Sequence, residues 1–284
     1  MKLHLLIVLF SFVRLGAQNS IATYNIRYDG HTDLANDWVE RKVPIAQFVL
    51  NNEIKIIGFQ EVLHNQLLDL LQLLPNYTYV GVGRDDGKTQ GEYAPIFYDS
   101  TKFIALQSGT FWLSPTPQIP SKGWDAALNR ICTYALLQNK FNKELTWVFN
   151  THFDHVGVEA RLYSAELILH QIAELLQKQD APVLLIGDFN MEDTDKGIEL
   201  IAARFKDFSC VQVPDGKRRK KIHEICFPPT FNGFTATIFD DKRIDFIFGS
   251  EKIIPLESRV IETPFGLSFP SDHFPVLVYY RVLR

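Results

Sequence analysis

The chain has few of the features that mark specialised scaffolds. Its three cysteines, Cys132, Cys210 and Cys226, are too few for a disulfide framework, show no metal-type spacing, and leave at least one thiol outside any pair within the chain. Cys210 and Cys226 flank one excursion that a bridge would close. Cys132 lies in an apolar run, where a small buried hydrophobe is expected. No G-x-S-x-G elbow, Gly-rich phosphate loop with its lysine, or H-E-x-x-H occurs, which argues against acyl-enzyme, P-loop and zincin chemistry. Positive charge is not in excess, with 29 Lys and Arg against 33 Asp and Glu for a net −4. That excludes a globally basic nucleic-acid coat but leaves room for a local cationic groove. The 16 glycines and 14 prolines form no low-complexity tract. Beyond the first seventeen residues no apolar run is long enough to span a bilayer.

What is present begins with MKLHLLIVLFSFVRLGA at residues 1–17: a lysine at position 2, an apolar stretch from Leu3 to Val13, and small Gly16 and Ala17. This pattern predicts a secretory signal, and so an exported protein, periplasmic or secreted, with one domain over residues 18–284. No cysteine directly follows Ala17, so lipid attachment there is not expected.

Strand and helix signals then alternate. Strands are predicted at Ile21–Arg27, Ile54–Phe59, Tyr77–Val82, Ala94–Tyr98, Phe103–Leu113, Ile131–Asn139, Thr146–Asn150, Pro182–Ile186, Arg243–Phe248 and Phe274–Tyr280. Ile54–Phe59 and Pro182–Ile186 are nearly continuous apolar runs, as in strands covered on both faces. Helices are predicted at Arg41–Asn52 with Pro44 in its first turn, His64–Leu74, Val158–Lys178 and Gly197–Ala203. The long helix carries Val158, Leu162, Ala165, Leu169, Ile172 and Leu176 at helical spacing. No fixed-period repeat or linker divides the chain, which predicts one α/β domain with sheets packed under outer helices.

Polar residues interrupt this pattern where strands should end: Asn25 in TYNIRYD, Glu61 in GFQEV, His152 in FNTHFDH, Asp188 and Asn190 in IGDFN, and Asp272-His273 in PSDHFPV. Asp245 sits inside the apolar run RIDFIF. Each alone has an ordinary explanation as a cap, turn or solvated loop. Together they fall where open α/β folds gather substrates and metals. Glu61 and Asp245 offer the hard oxygen ligands that Mg²⁺ prefers. His273 with an acid partner could take a proton from water, while His152 and Asn190 could donate hydrogen bonds to a phosphoryl group. These residue types point to metal-assisted attack of water on a phosphoester.

The ordered set TYNIRYD, GFQEV, GEYAPIFYD, NTHFDH, IGDFN, KRIDFIF and PSDHFPV resembles the endonuclease/exonuclease/phosphatase (deoxyribonuclease I-like) superfamily, in particular its small exported bacterial members. The resemblance runs from about Ile21 to Tyr280. It implies a four-layer sandwich of two face-to-face mixed β-sheets flanked by α-helices, with a divalent-metal site at one end. It implies Asn25 and Glu61 at the metal, which would be Mg²⁺ or alternatively Mn²⁺. His152 and Asn190 would contact the phosphate, and Asp188 would orient the attacking water or serve leaving-group protonation. Asp272 would partner His273, while Asp245 would orient a histidine or add a second metal contact; both acids suit the orienting role. Glu92, Tyr93 and Arg130 are candidates for the pocket wall.

The basic run Lys217-Arg218-Arg219-Lys220-Lys221 reads better as a solvated loop than as a nucleic-acid track, because no aromatic platform is interleaved. The leading expectation is an exported Mg²⁺-dependent phosphodiesterase of nuclease type, with a phosphoester substrate such as nucleic acid, no stable membrane insertion and no obligate protein partner. The alternatives are a phosphomonoesterase acting on sugar or inositol phosphates and, last, a non-catalytic binding module on the same fold.

Overall fold

The computed structural model describes residues 18–30, 36–214, 222–226, 229–234, 242–262 and 269–283. The expected signal at 1–17 and the basic run 217–221 lie outside the described residues. Among those described, no helix is long and apolar enough to cross a membrane.

Two mixed six-stranded sheets lie face to face. The first contains β1 (Asn19–Asn25), β2 (Ile56–Gln60), β3 (Tyr77–Val80), β4 (Ile96–Asp99), β13 (Ile253–Val260) and β14 (Val276–Val282), in the order β13-β14-β1-β2-β4-β3. The second contains β5 (Phe103–Trp112), β6 (Ile131–Asn139), β7 (Leu145–His152), β8 (Val183–Asp188), β9 (Lys206–Asp207) and β12 (Asp245–Gly249), in the order β5-β6-β7-β8-β12-β9. A separate hairpin pairs β10 (Cys210–Pro214) with β11 (Ile222–Cys226), and its register sets Cys210 opposite Cys226. The helices are α1 (Trp38–Asn51), α2 (His64–Leu73), α3 (Val158–Lys178) and α4 (Lys196–Ala202).

Three apolar clusters account for four layers. Ile21, Ile56, Val148, Leu184, Ile186 and Ile247 pack between the sheets. Trp38, Ile45, Val49, Leu67 and Leu70 seal α1 and α2 onto the first sheet. Ile168, Ile172, Leu175, Ile198 and Ile201 seal α3 and α4 onto the second. Strands with both faces covered must be apolar throughout, and β2 and β8 are buried at every residue.

The helices differ in detail from their sequence pattern. α3 buries Ala160, Ser164, Ala165, Ile168, Ile172 and Leu175, a line rotated from the expected stripe, and Val158 in its first turn is exposed. α1 starts three residues earlier than expected, because Asp37 caps it by accepting from the Val39 amide at 3.2 Å. Pro44 therefore falls in the second turn and leaves the Glu40 carbonyl without its helical donor.

β13 was not apparent in the sequence. It is an edge strand with a bulge between Pro255 and Glu257, and proline and charge at an edge hide the alternation while blocking further pairing.

A buried amide bridge joins the two sheets beneath the site. Gln60 Nε2 donates to Asn150 Oδ1 at 2.6 Å and to Thr23 Oγ1 at 3.0 Å. Asn150 Nδ2 donates to the carbonyls of Phe59 and Pro95 at 2.8 and 2.9 Å. Gly58 makes room for this: a Cβ there would lie 2.5 Å from Asn150 Cγ and 2.7 Å from Ile186 Cδ1.

Candidate active site

Strand register alone assembles half of the site. β7 runs parallel to β8 with His152 opposite Asp188, and β12 runs antiparallel to β8 with Asp245 opposite Asp188. The three polar side chains therefore share one end of the second sheet. The facing end of the first sheet carries Asn25, the last residue of β1, and Glu61, which follows β2; Asn25 pairs with Gln60 in the parallel register. His273 precedes β14, which runs antiparallel to β1 and so starts at that same end.

Asp188 is the meeting point. Asn25 Nδ2 donates to Asp188 Oδ2 at 2.9 Å and to Glu61 Oε1 at 3.1 Å, linking a carboxylate from each sheet. His152 Nε2 lies 3.5 Å and His273 Nε2 3.8 Å from the same Asp188 oxygen. The Asn190 amide donates to Asp188 Oδ1 at 2.9 Å, and its side chain donates to the Phe153 carbonyl at 3.1 Å. The interrupting residues Asn25, Glu61, His152, Asp188, Asn190, Asp245 and His273 thus come together at one end of the sandwich.

Of the two acids open to the orienting role, Asp245 is the one at the ring: His273 Nδ1 and Asp245 Oδ2 are 2.9 Å apart. The expectation that Asp272 partners His273 gives way to this geometry. Asp272 instead accepts from Ser271 Oγ at 3.3 Å and lies 3.8 Å from Arg27 Nε. A residue adjacent in sequence cannot easily turn its carboxylate under its neighbour's ring, whereas β12 delivers Asp245 from below.

Three of the polar residues in and beside the site hold left-handed backbone: Arg27 (φ 56°), Glu61 (φ 60°) and Asn190 (φ 47°). Each costs roughly 1–3 kcal/mol and persists only where neighbours over-determine it. Glu61 is pinned by the Tyr28 amide donating to Oε2 at 3.1 Å and by Arg27 Nη1 at 3.5 Å. The Arg27 segment is itself held by buried Gln66, whose Nε2 donates to the Arg27 carbonyl at 3.0 Å and whose Oε1 accepts from the Asp29 amide at 3.2 Å. Buried Arg41 donates to the carbonyls of Ile26, Arg27 and Pro270, tying the loop after β1 to the one carrying His273.

The electrostatics follow from burial and crowding. Burial, then the nearby Asp245 charge, raises Asp188 to about 7. Burial would lower His273, but Asp245, by charge and hydrogen bond, with Asp188 and Asp272 in support, lifts it to about 10. His152 goes the other way: burial and then the charges of Arg130 and Arg84 drive it well below the usual histidine value. One imidazole is therefore a held cation and the other a neutral donor.

The pocket-wall candidates Glu92, Tyr93 and Arg130 line one small recess beside His152. Glu92 is clamped by Arg84 through two bonds of 2.7 and 2.8 Å and lies 3.9 Å from His152 Nδ1. Arg130 reaches the same recess. Tyr93 lines it too while packing in the first sheet's outer core, with its hydroxyl taken by His64 Nδ1 at 3.0 Å and the Lys88 carbonyl at 2.9 Å. Arg27, Arg84, Arg41 and Gln66 went unnoticed in the sequence. They lie in loops or on helix faces where a cation or amide looks like ordinary surface.

The residues present suit a divalent cation. Among the described residues, the carboxylates of Asp188 and Asp245 bring oxygens within 4.8 Å of one another beside the His273 ring. Asp245 Oδ1 is buried with no hydrogen-bond partner, and Glu61 adds a further carboxylate through Asn25. Crowded acids whose neighbours raise their proton affinity are short of positive charge, which a cation supplies.

A buried acid–histidine cluster thus sits at one end of a two-sheet sandwich. The sequence pattern of the endonuclease/exonuclease/phosphatase family matches residues 22–273, and the chain belongs to that family. A mannosyl-6-phosphatase of Bacteroides thetaiotaomicron is 36% identical with a TM-score of 0.85, over 93% of this chain and 99% of that one. A family member from Bacteroides vulgatus is 38% identical with a TM-score of 0.84, over 94% of this chain and 100% of that one. An uncharacterized protein of Acanthamoeba polyphaga mimivirus is 29% identical over 86% of this chain and 92% of its own length.

Proposed function

We propose that this chain is an exported, Mg²⁺-dependent phosphoester hydrolase that cleaves its substrate by direct attack of water. The observation that carries the reading is the convergence on Asp188 of Asn25, His152, Asn190, Asp245 and His273, with Glu61 one hydrogen bond beyond. A divalent cation held by Glu61 and Asn25 would supply electrostatic stabilisation of the phosphoryl oxygens.

The remaining roles belong to side chains. Asp188, with a proton affinity near neutrality, suits a group that orients water and takes its proton. His273, whose Nδ1 lies 2.9 Å from Asp245 Oδ2 and whose proton affinity that charge raises, suits a group that neutralises charge building on the phosphoryl group. His152, kept neutral, donates one hydrogen bond to a phosphoryl oxygen, and Asn190 offers a second.

Of the two substrate readings, a phosphomonoester of a sugar is favoured over a nucleic-acid diester. A polar recess of about 150 Å³ opens beside Asp272 and Arg27, lined by Tyr28, Asp29, Asn36 and Asp37. That suits a small hydroxylated leaving group better than a strand. Similarity to a mannosyl-6-phosphatase supports the same choice. The test is a panel of DNA, RNA, sphingomyelin, phosphoinositides and sugar phosphates, run after EDTA treatment and again with Mg²⁺ restored. Release of phosphate from a sugar phosphate only with Mg²⁺ is expected; cleavage of nucleic acid without any monoester turnover would return the assignment to the diester reading.

A further inference from the structure

Residues 230–233 separate the β10–β11 hairpin from β12 in the chain and pair with the segment that carries His273. Phe231 and His273 form an antiparallel bridge. The Thr230 carbonyl accepts from the Phe274 amide at 2.6 Å, and the Asp272 carbonyl accepts from the amides of Asn232 and Gly233 at 2.7 and 3.1 Å. His273 is therefore held by backbone bonds to both of its chain neighbours. The Phe231 ring adds an edge-on contact to the imidazole, with centroids 5.2 Å apart at 79°. Thr230 also reaches the other member of the acid–histidine pair. Its amide donates to the Lys242 carbonyl at 3.0 Å, and its hydroxyl oxygen accepts from the amides of Ile244 and Asp245, each at 3.1 Å. The neighbouring strand β9 covers β12 only at Phe248 and Gly249, so at the start of β12 the hydroxyl serves where a strand's carbonyls would otherwise stand. Thr230 is fully buried, and there an amide deprived of its acceptor finds no water to replace it.

We propose that Thr230 is a positioning residue for hydrolysis, setting the distance between the Asp245 carboxylate and the His273 ring. Asp245 Oδ2 and His273 Nδ1 belong to segments 28 residues apart in the chain, yet stand 2.9 Å from each other. A charge-assisted hydrogen bond of that length weakens as its partners part or tilt. Through its hydroxyl Thr230 fixes the backbone of Asp245; through its carbonyl it fixes the residue after His273. One buried residue thus spans both halves of the pair without touching either reacting side chain. The backbone bonds to Lys242 and Phe274 do not depend on the Thr230 side chain, so removing the hydroxyl frees the start of β12 while the His273 side stays tied. Catalysis is sensitive to such displacement, because a group misplaced by about 1 Å can lose about 100-fold in rate. The inference rests on the phosphoesterase reading and adds to it the residue that sets the geometry of the acid–histidine pair.

The test compares the full chain with Thr230→Val, Thr230→Ser, Asp245→Asn and the variant carrying both Thr230→Val and Asp245→Asn. Valine keeps nearly the shape of threonine but has no acceptor, whereas serine keeps the oxygen. In chelator-treated protein the nitrogen NMR shifts of the His273 ring report its bond to Asp245. They should move in Thr230→Val toward the values of Asp245→Asn, and stay at the natural values in Thr230→Ser. With Mg²⁺ restored, Thr230→Val should lower kcat for p-nitrophenyl phosphate by about 10-fold, the worth of one buried hydrogen bond, with KM unchanged within about 3-fold. Thr230→Ser should keep kcat within about 3-fold of the natural value. In the Asp245→Asn background, Thr230→Val should cost less than about 2-fold more, because the two substitutions act through one interaction. Should Thr230→Val not fold, Thr230→Cys, whose sulfur is a weak acceptor, takes its place. Natural ring shifts and kcat in a folded Thr230→Val, an equal loss with and without the Asp245 carboxylate, or a serine variant as impaired as the valine one would each overturn the assignment. Absence of phosphoester turnover by the natural protein would instead overturn the functional reading, while the ring shifts would still decide whether Thr230 places Asp245.

Discussion

On the second sheet, His152, Asp188 and Asp245 are strand residues whose neighbours are set by backbone register. On the first sheet, Asn25 ends a strand, but Glu61, Arg27 and His273 lie just beyond strand ends, two of them in left-handed backbone. There the positions come from the Gln66 and Arg41 side chains reaching into loops and from the Tyr28 backbone amide. One half of the site is thus as rigid as the sheet that carries it, and the other is only as rigid as a handful of hydrogen bonds. Chemistry placed on strands tolerates changes elsewhere, whereas a cation-binding edge built from clamped loops should be tunable, and fragile, from a distance.

Substitutions can break this contrast. The largest effect is expected at the shared point. Asp188→Asn should reduce kcat by about 10³-fold or more while the melting temperature in EDTA holds or rises, because a buried, crowded negative charge is removed. A marked loss of stability would mean that Asp188 is a structural residue.

Asp245→Asn comes next. It leaves the strand register intact but takes away the main support of the His273 proton, so turnover should fall about 10²-fold. The His273 titration, followed by NMR of the ring protons, should move down from about 10 toward its ordinary value. An unmoved titration would show that Asp245 does not control the ring.

On the clamped side, Gln66→Ala touches none of the reacting groups. It should nevertheless weaken Mg²⁺ binding by about 10-fold, the lower end for groups that support metal ligands, with a smaller change in kcat once Mg²⁺ saturates. Equal affinity in the variant would put the Glu61 geometry under some other control.

Gly58→Ala probes the bridge common to both halves. The added methyl group meets Asn150 and Ile186, and overpacking of this kind costs about 1–3 kcal/mol, readable as a lower midpoint in urea. Unchanged stability would show that the sheets can separate slightly at no cost.

A further test is the pH dependence of stability without a cation. Asp188 in the folded chain holds its proton to about 7 rather than 3.8, and His273 to about 10 rather than 6.5. In both cases the folded state binds more protons than the unfolded one, whereas His152, lowered by burial, works the opposite way below about 6.5; above that, stability should decline as pH rises through 10. Added Mg²⁺, which replaces protons in the cluster, should stabilise most at the alkaline end. Melting in EDTA that improves with rising pH in that range would contradict this.

The same contrast explains what could be read from the sequence. An acid or histidine at the end of an apolar strand interrupts a strong pattern, so His152, Asp188 and Asp245 stood out, and the alternation of strands and helices predicted the layered fold. Pairing between acids and histidines did not stand out: Asp272 is next to His273 in the chain, yet Asp245, 28 residues away, meets its ring. Arg27, Arg84 and Gln66 were silent because loop cations and helix amides carry no periodicity. Their roles exist only once β1, β2 and residues 91–95 are brought side by side. The edge strand β13 was masked by the same proline and charges that keep it from pairing further.

The most direct measurement is calorimetric titration of Mg²⁺ into chelator-treated natural protein and into Glu61→Gln, each compared by circular dichroism for an intact fold. One cation per chain is expected for the natural protein, with binding weakened at least 10-fold in the variant. Undiminished binding in Glu61→Gln, or full phosphoester turnover in excess EDTA, would contradict a site that works by gathering both sheets' polar ends around a divalent ion.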